Sequence, residues 1–139
     1  MEPLQEYKAI MDEYVEAVNE LQKKRKFLDG LFGFGSHPGN AACHEILDQK
    51  VEALCRKAGE ALDASEQASL ADAVLRSERA WQGPEYARLM MAAIQRHVIP
   101  LLPSLSPETK KELLTWYEKE YPRWKRLPVQ DQVLSALKK

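Results

Sequence analysis

The 139-residue sequence predicts an all-α fold: an irregular bundle of five or six helices that forms a single helical domain over residues 1–139. Three observations carry this prediction. Apolar residues recur at three- and four-residue spacing in successive segments, which is the period of an amphipathic helix. No segment alternates apolar and polar residues, as a half-buried strand does. Proline and glycine fall between the periodic segments, where they end helices.

The first two predicted helices flank a glycine-rich loop. The first is expected over Pro3–Leu28, with Gly30 as its C-terminal stop. The segment 30–44 holds four of the six glycines, two of the three histidines and one of the two cysteines. Asn40 is the predicted cap of the second helix, Ala41–Leu62. The glycines permit a sharp reversal of the chain between the two helices.

The third and fourth predicted helices cover the middle of the chain. The third begins at Ser65 and is closed by the Gln82-Gly83-Pro84 sequence. The fourth, Pro84–Ile99, has apolar residues around more than half of its circumference, so we expect it to be central and largely buried. Pro100 and Pro103 are expected to end it.

The last two predicted helices have clear boundaries. Ser106 is a typical N-cap, Pro107 suits the first helical position, and an early acidic residue follows. This fifth helix ends before Pro122, and a short sixth helix covers Val129–Leu137. The region between them is rich in aromatic and basic residues, and we expect Trp124 there to lie in a protein–protein contact patch.

Composition restricts the class of protein. With 45% apolar and 29% charged residues, the chain is typical of a globular protein. The net charge of −1 provides no overall attraction to nucleic acid or anionic lipid, so nucleic-acid binding is disfavoured. No apolar run approaches the ~20 residues of a membrane span, and the first residues do not resemble a signal peptide. We therefore expect a cytoplasmic protein without membrane contact.

Charge is unevenly distributed along the sequence. Residues 1–81 carry 10 Lys/Arg and 15 Asp/Glu, a net of −5, whereas residues 82–139 carry 10 and 6, a net of +4. Halves of opposite sign favour self-association, and we expect a homodimer or a complex with another protein.

One set of residues near the start of the second helix is a candidate ligand site. It consists of His37, Asn40, Cys43, His44, Asp48 and His97. His44 and Asp48 are four residues apart, so they share one face of a helix and could hold a common ion. His37 from the loop could be a third donor, and Cys43 or His97 a fourth. The metal candidates are thus His37, His44 and Asp48, and the donor types suit zinc or iron.

The two cysteines do not point to catalysis. On one helix, Cys43 and Cys55 lie roughly 18 Å apart, far beyond the ~7 Å limit for a disulfide. We expect free thiols, with a nucleophilic Cys43 or Cys55 as an alternative that requires His37 as its base. The loop lacks the ending of a P-loop and the dinucleotide-binding pattern.

Two functional hypotheses follow. The first is a non-enzymatic helical interaction module, without a cofactor, that acts through protein–protein contacts. The alternative is a small-ligand or metal-binding protein, possibly an enzyme, whose site lies at the segment Gly30–His44 and the start of the second helix. A polar pocket with converging imidazoles would distinguish the alternative from the first hypothesis.

Overall fold

The structure, a computed structural model, describes residues 2–32, 40–83 and 85–139, without the side chains of 25–32, 40, 41, 85 and 86. The all-α prediction is confirmed, because this part of the chain contains six α-helices and no strand. The helices are α1 (Pro3–Phe32), α2 (Asn40–Ala61), α3 (Ala64–Ala80), α4 (Glu85–Ala93), α5 (Pro107–Glu120) and α6 (Pro128–Lys138). None of them is both long and apolar enough to cross a membrane.

α1 and α2 pack against each other as an antiparallel pair. Their direction follows from two ion pairs between them, since Lys50 contacts Glu13 whereas Lys57, seven residues later, contacts Glu6. The prediction that Gly30 ends the first helix is wrong, because helical backbone continues through it to Phe32. A single glycine inside a helix costs only about 1 kcal/mol relative to alanine, which the turns around it can outweigh. Residues 33–39 of the predicted loop lie outside the described residues.

α3 begins one residue earlier than predicted and uses a different cap. The carboxylate of Asp63 accepts a hydrogen bond from the backbone N–H of Glu66, at 2.9 Å. Asp63 is therefore the N-cap, whereas the predicted start, Ser65, lies inside the first turn. Aspartate and serine are both good caps, so residue type alone does not decide between Asp63 and Ser65.

A 3₁₀ segment, Ile94–Ser104, continues directly from α4. The prediction that Pro100 and Pro103 end the helix is therefore wrong, because both prolines lie inside this segment. Proline lacks an N–H group and clashes with the carbonyl four residues earlier in an α-helix, which disfavours the α-helical form around both prolines, whereas the 3₁₀ form continues through them. The segment packs against α2, α3 and α6, which places it at the centre of the fold, as the apolar composition of this region predicts.

The core beside the 3₁₀ segment contains a polar network. Glu78 of α3 is only 7% exposed, and its Oε2 accepts a hydrogen bond from the Tyr121 hydroxyl at 2.8 Å. Gln95, fully buried, donates to the same hydroxyl at 3.4 Å and accepts a hydrogen bond from the Tyr117 hydroxyl. The network thus ties α3, the 3₁₀ segment and the end of α5 together.

The boundaries of α5 agree with the sequence. The Ser106 hydroxyl accepts a hydrogen bond from the N–H of Thr109 at 3.2 Å, and Pro107 is the first helical residue, as predicted. A short 3₁₀ turn, Arg123–Lys125, then leads to α6, whose start is held by a hydrogen bond from the N–H of Leu127 to the Gln130 side chain at 2.8 Å.

Candidate metal centre

α2 presents three polar side chains, those of His44, Asp48 and Glu52, on successive turns of one face. Each of them follows a buried residue of the core stripe by one position: Cys43, Leu47 and Val51. Because consecutive helical residues point about 100° apart, the three polar side chains lie at the edge of the buried stripe. All three are half-buried there, neither in the core nor fully in solvent.

The 3₁₀ segment brings His97 to this edge. Its Nε2 lies 2.8 Å from Oδ1 of Asp48, and its side chain is almost fully buried. The other carboxylate oxygen of Asp48, Oδ2, accepts a hydrogen bond from Nη2 of Arg96 at 2.7 Å. Arg96 is itself anchored by a hydrogen bond from Nη1 to the backbone oxygen of Ala93 at 2.9 Å. Both oxygens of Asp48 therefore have fixed partners from one neighbouring element.

These partners also set the protonation state of the carboxylate. Partial burial alone would raise the pKa of Asp48, but the hydrogen bonds and positive charges of His97 and Arg96 outweigh it and hold the pKa below its ordinary value. Asp48 is therefore ionised at neutral pH, which is the state that a metal ligand requires.

Glu52 completes a group of three potential metal ligands. One carboxylate oxygen of Asp48, one of Glu52 and a ring nitrogen of His97 all lie within 4.8 Å of one another. Two of these groups come from adjacent turns of α2 and the third from a separate element, so the fold brings together donors that are distant in sequence. No other group of this kind is found among the described residues.

The other residues of the predicted ligand set occupy different places. The ring of His44 packs on that of Tyr14, with centroids 5.8 Å apart, and burial lowers its pKa. Cys43 is buried in a groove between α1 and α2, on the stripe next to His44. His37 and the side chain of Asn40 lie outside the described residues. Of the six predicted residues, Asp48 and His97 are in direct contact.

The two cysteines are free and buried, as expected. Burial raises the pKa of the Cys43 thiol, and it raises that of Cys55 to about 12. Since the thiolate is the nucleophilic form, these environments do not suit the nucleophilic alternative.

Sequence reasoning missed Glu52 and Arg96. Glu52 continues the four-residue spacing of His44 and Asp48, so the same rule extended by one turn would have found it. Arg96 had no comparable signal, because the contact with Asp48 depends on how the 3₁₀ segment crosses α2.

No family model, curated protein or solved structure matches this chain. The chemistry of the site therefore has to be derived from its donors. An imidazole nitrogen and two carboxylate oxygens suit zinc, iron(II) or manganese(II). With a metal-bound imidazole, which is neutral, the two carboxylates would give the ligand set two negative charges, which match a divalent cation. Three protein ligands would leave at least one coordination position for water or a small ligand.

Proposed function

We propose that the protein binds a divalent transition-metal ion, zinc or iron(II), through Asp48, Glu52 and His97. The observation that carries the proposal is the convergence of their three donor atoms within 4.8 Å, from two elements of the fold. A metal ion would replace the proton shared by His97 Nε2 and Asp48 Oδ1, which now lie 2.8 Å apart.

Arg96 supports this proposal as an orienting residue. Carboxylates that bind metals commonly use their second oxygen for a hydrogen bond that fixes their orientation. Oδ2 of Asp48 has such a bond from Arg96, at 2.7 Å. Oδ1 is thereby directed toward His97, on the side where Glu52 lies.

The experiment is a metal titration of protein that has been stripped with a chelator. Zinc, and iron(II) without oxygen, are added separately, and the unfolding midpoint and the metal content after gel filtration are measured. We expect one ion per chain and, at a hundredfold excess over Kd, a stabilisation of about 2.7 kcal/mol. A chain that retains neither metal and shows no shift in its midpoint would refute the proposal.

Three variants distinguish metal binding from a purely structural contact. Asp48→Asn and His97→Gln should abolish metal retention, and Glu52→Gln should weaken it at least tenfold. Asp72→Asn is the matched control, because Asp72 also pairs with an arginine, Arg76, at 2.8 Å but is not part of a three-ligand group among the described residues. Binding that is equal in Glu52→Gln and in the control would contradict the assignment.

We propose protein–protein contact as a second candidate function, and a cytoplasmic location for the protein. Support for contact comes from large apolar side chains at the surface, with Ile46 54%, Leu89 65% and Trp124 84% exposed. Support for the location comes from the unpaired Cys43 and Cys55, since free thiols are typical of reducing compartments.

A further inference from the structure

One surface, formed by α1 and α2, has apolar side chains along its floor and charged side chains along its edges. We call it the α1–α2 face. Its floor is formed by the exposed or half-buried residues Ala9, Ile10, Ala17, Ile46 and Ala53. Two depressions along both helices adjoin at Ile10 and Lys50, and we refer to them together as the groove.

The residues of this face repeat every seven positions. On α1, Ile10 is followed by Ala17, and on α2, Ile46 is followed by Ala53. The charged residues at the edges have the same spacing. A seven-residue repeat of small and apolar side chains, flanked by charges, is the pattern with which helices pack against other helices. Within the described residues, no helix covers this groove.

The charges along the edges are segregated by helix. The α1 edge carries Glu6 and Glu13, and the α2 edge carries Lys50 and Lys57. Each acidic residue lies opposite a basic residue at the same height along the helix axes: Glu13 lies 2.5 Å from Lys50, and Glu6 lies 3.3 Å from Lys57. The face therefore has one negative edge and one positive edge, in register.

Such a face is complementary to itself. A twofold axis that runs along the groove, parallel to the helices, places α1 of one copy over α2 of the second at the same height. Glu6 then meets Lys57 of the second copy, and Glu13 meets Lys50 of the second copy. A twofold axis across the helices would instead place acids over acids, which is unfavourable.

From this complementarity we infer that the occupant of the α1–α2 face is a second copy of this chain, bound as a symmetric dimer about an axis along the groove. The inference deepens the second candidate function and does not depend on the metal site. In a symmetric dimer each contact occurs twice, so the two edges yield four additional opposite-charge contacts.

The test uses charge reversal and complementation. The all-acidic variant is Lys50→Glu/Lys57→Glu, and the all-basic variant is Glu6→Lys/Glu13→Lys. Each alone presents like charges to its own copy, whereas a mixture restores opposite charges at both edges. Exposed ion pairs contribute little to stability, so both variants should fold. Circular dichroism verifies this.

Association is measured by sedimentation equilibrium over a hundredfold concentration range. We expect a dimer for the wild-type chain, monomers for each variant alone, and a dimer for the equimolar mixture. The matched control is Lys110→Glu/Lys111→Glu, which makes the same change in net charge on α5 and should dimerise like the wild-type chain. A further variant, Ile46→Gln, tests the apolar floor without changing the charge and should weaken the dimer at least tenfold.

The possible failures have different meanings. If the wild-type chain remains monomeric over the whole concentration range, the inference is overturned. This holds even if the groove is then found to bind a helix of another protein. If the wild-type chain dimerises and both reversal variants do so equally well, the α1–α2 face is refuted while self-contact through another surface survives. Loss of the dimer in Trp124→Ala would then locate that surface. Repeating the measurement with a chelator and with zinc keeps the outcome separate from that of the metal proposal.

Discussion

Replacing Tyr121 by phenylalanine removes one buried hydroxyl from the polar network and leaves the ring in place. That hydroxyl donates a hydrogen bond of 2.8 Å to Glu78 and receives a longer one, 3.4 Å, from Gln95. Burial and the neighbouring carboxylate raise the pKa of Tyr121 well above its ordinary value, so the hydroxyl remains a donor. The ring keeps its contact with Arg79, whose guanidinium carbon lies 4.7 Å from the ring centroid.

The expected cost follows from the charge of the acceptor. Hydrogen bonds to charged groups contribute about 1.5–3 kcal/mol, whereas bonds between neutral groups contribute about 1 kcal/mol. After the substitution, Glu78 retains Arg79 at 3.5 Å and Arg88 at 3.8 Å, which are ion-pair distances with poorer hydrogen bonding. We expect Tyr121→Phe to lower the free energy of unfolding by about 2 kcal/mol. For a chain of this length, that loss corresponds to a fall of about 7 °C in Tm.

The assay is urea unfolding followed by circular dichroism, with Tyr7→Phe as the matched control. Tyr7 is also buried, but its hydroxyl bonds to the neutral Ser77 hydroxyl at 2.5 Å. We expect the control to lose about half as much stability as Tyr121→Phe. A double-mutant cycle with Glu78→Gln should give a coupling energy of at least 1 kcal/mol. Equal losses in the two tyrosine variants, or a coupling energy near zero, would refute this account of the network.

Two further predictions concern glycine and pH. A Cβ at Gly83 would collide with the Trp81 ring, so Gly83→Ala should destabilise the fold. A Cβ at Gly59, which lies inside α2, would meet only an ordinary contact at 3.5 Å, so Gly59→Ala should stabilise the fold by up to about 1 kcal/mol. Thermal unfolding should therefore show shifts in Tm of opposite sign for the two variants. Burial lowers the pKa of the His44 side chain below its ordinary value of 6.5. Above pH 6.5 the side chain is neutral in both the folded and the unfolded chain, and its contribution to stability is retained. As the pH falls below 6.5, the unfolded chain binds a proton at His44 that the folded chain does not, so the free energy of unfolding decreases. His44→Gln should reduce the pH dependence of stability between 6.5 and about 5; an unchanged slope in urea titrations would contradict this.

The helical class was predictable because it depends on local periodicity. Apolar residues spaced seven positions apart, such as Leu47 and Leu54, can be recognised in the sequence and are buried in the structure. The cap at Ser106 was predictable for the same reason, since the cap and its partner are three residues apart. The end of α1 was not, because a single glycine is only a weak stop signal.

The candidate metal site was only partly visible in the sequence. The spacing of His44 and Asp48 identifies one face of α2, and its extension reaches Glu52. Which residue faces them from another element cannot be read from spacing, because the answer depends on long-range packing. His97 was included in the predicted set on the basis of its residue type alone, whereas its neighbour Arg96 was missed.

The charge argument for self-association illustrates the same limit. Halves of net charge −5 and +4 suggest a dimer but do not define a surface. The inferred face lies entirely within the acidic half of the sequence, where Lys50 and Lys57 form a basic edge opposite acids. The net charge of a long segment hides a small cluster of the opposite sign, so the basic edge can be identified only from the positions of individual side chains on the folded helices.

The central 3₁₀ segment carried a sequence signal that an α-helical period conceals. A 3₁₀ helix has three residues per turn, so residues three apart lie above one another. Gln95, Val98 and Leu101 are all buried at this spacing. Pro100 and Pro103 are exposed on another stripe, and His97, one turn before them, contacts Asp48 with its side chain almost fully buried. In this chain, two prolines three residues apart thus lie exposed on a continued 3₁₀ segment, and that segment, rather than a helix end, brings the histidine to α2.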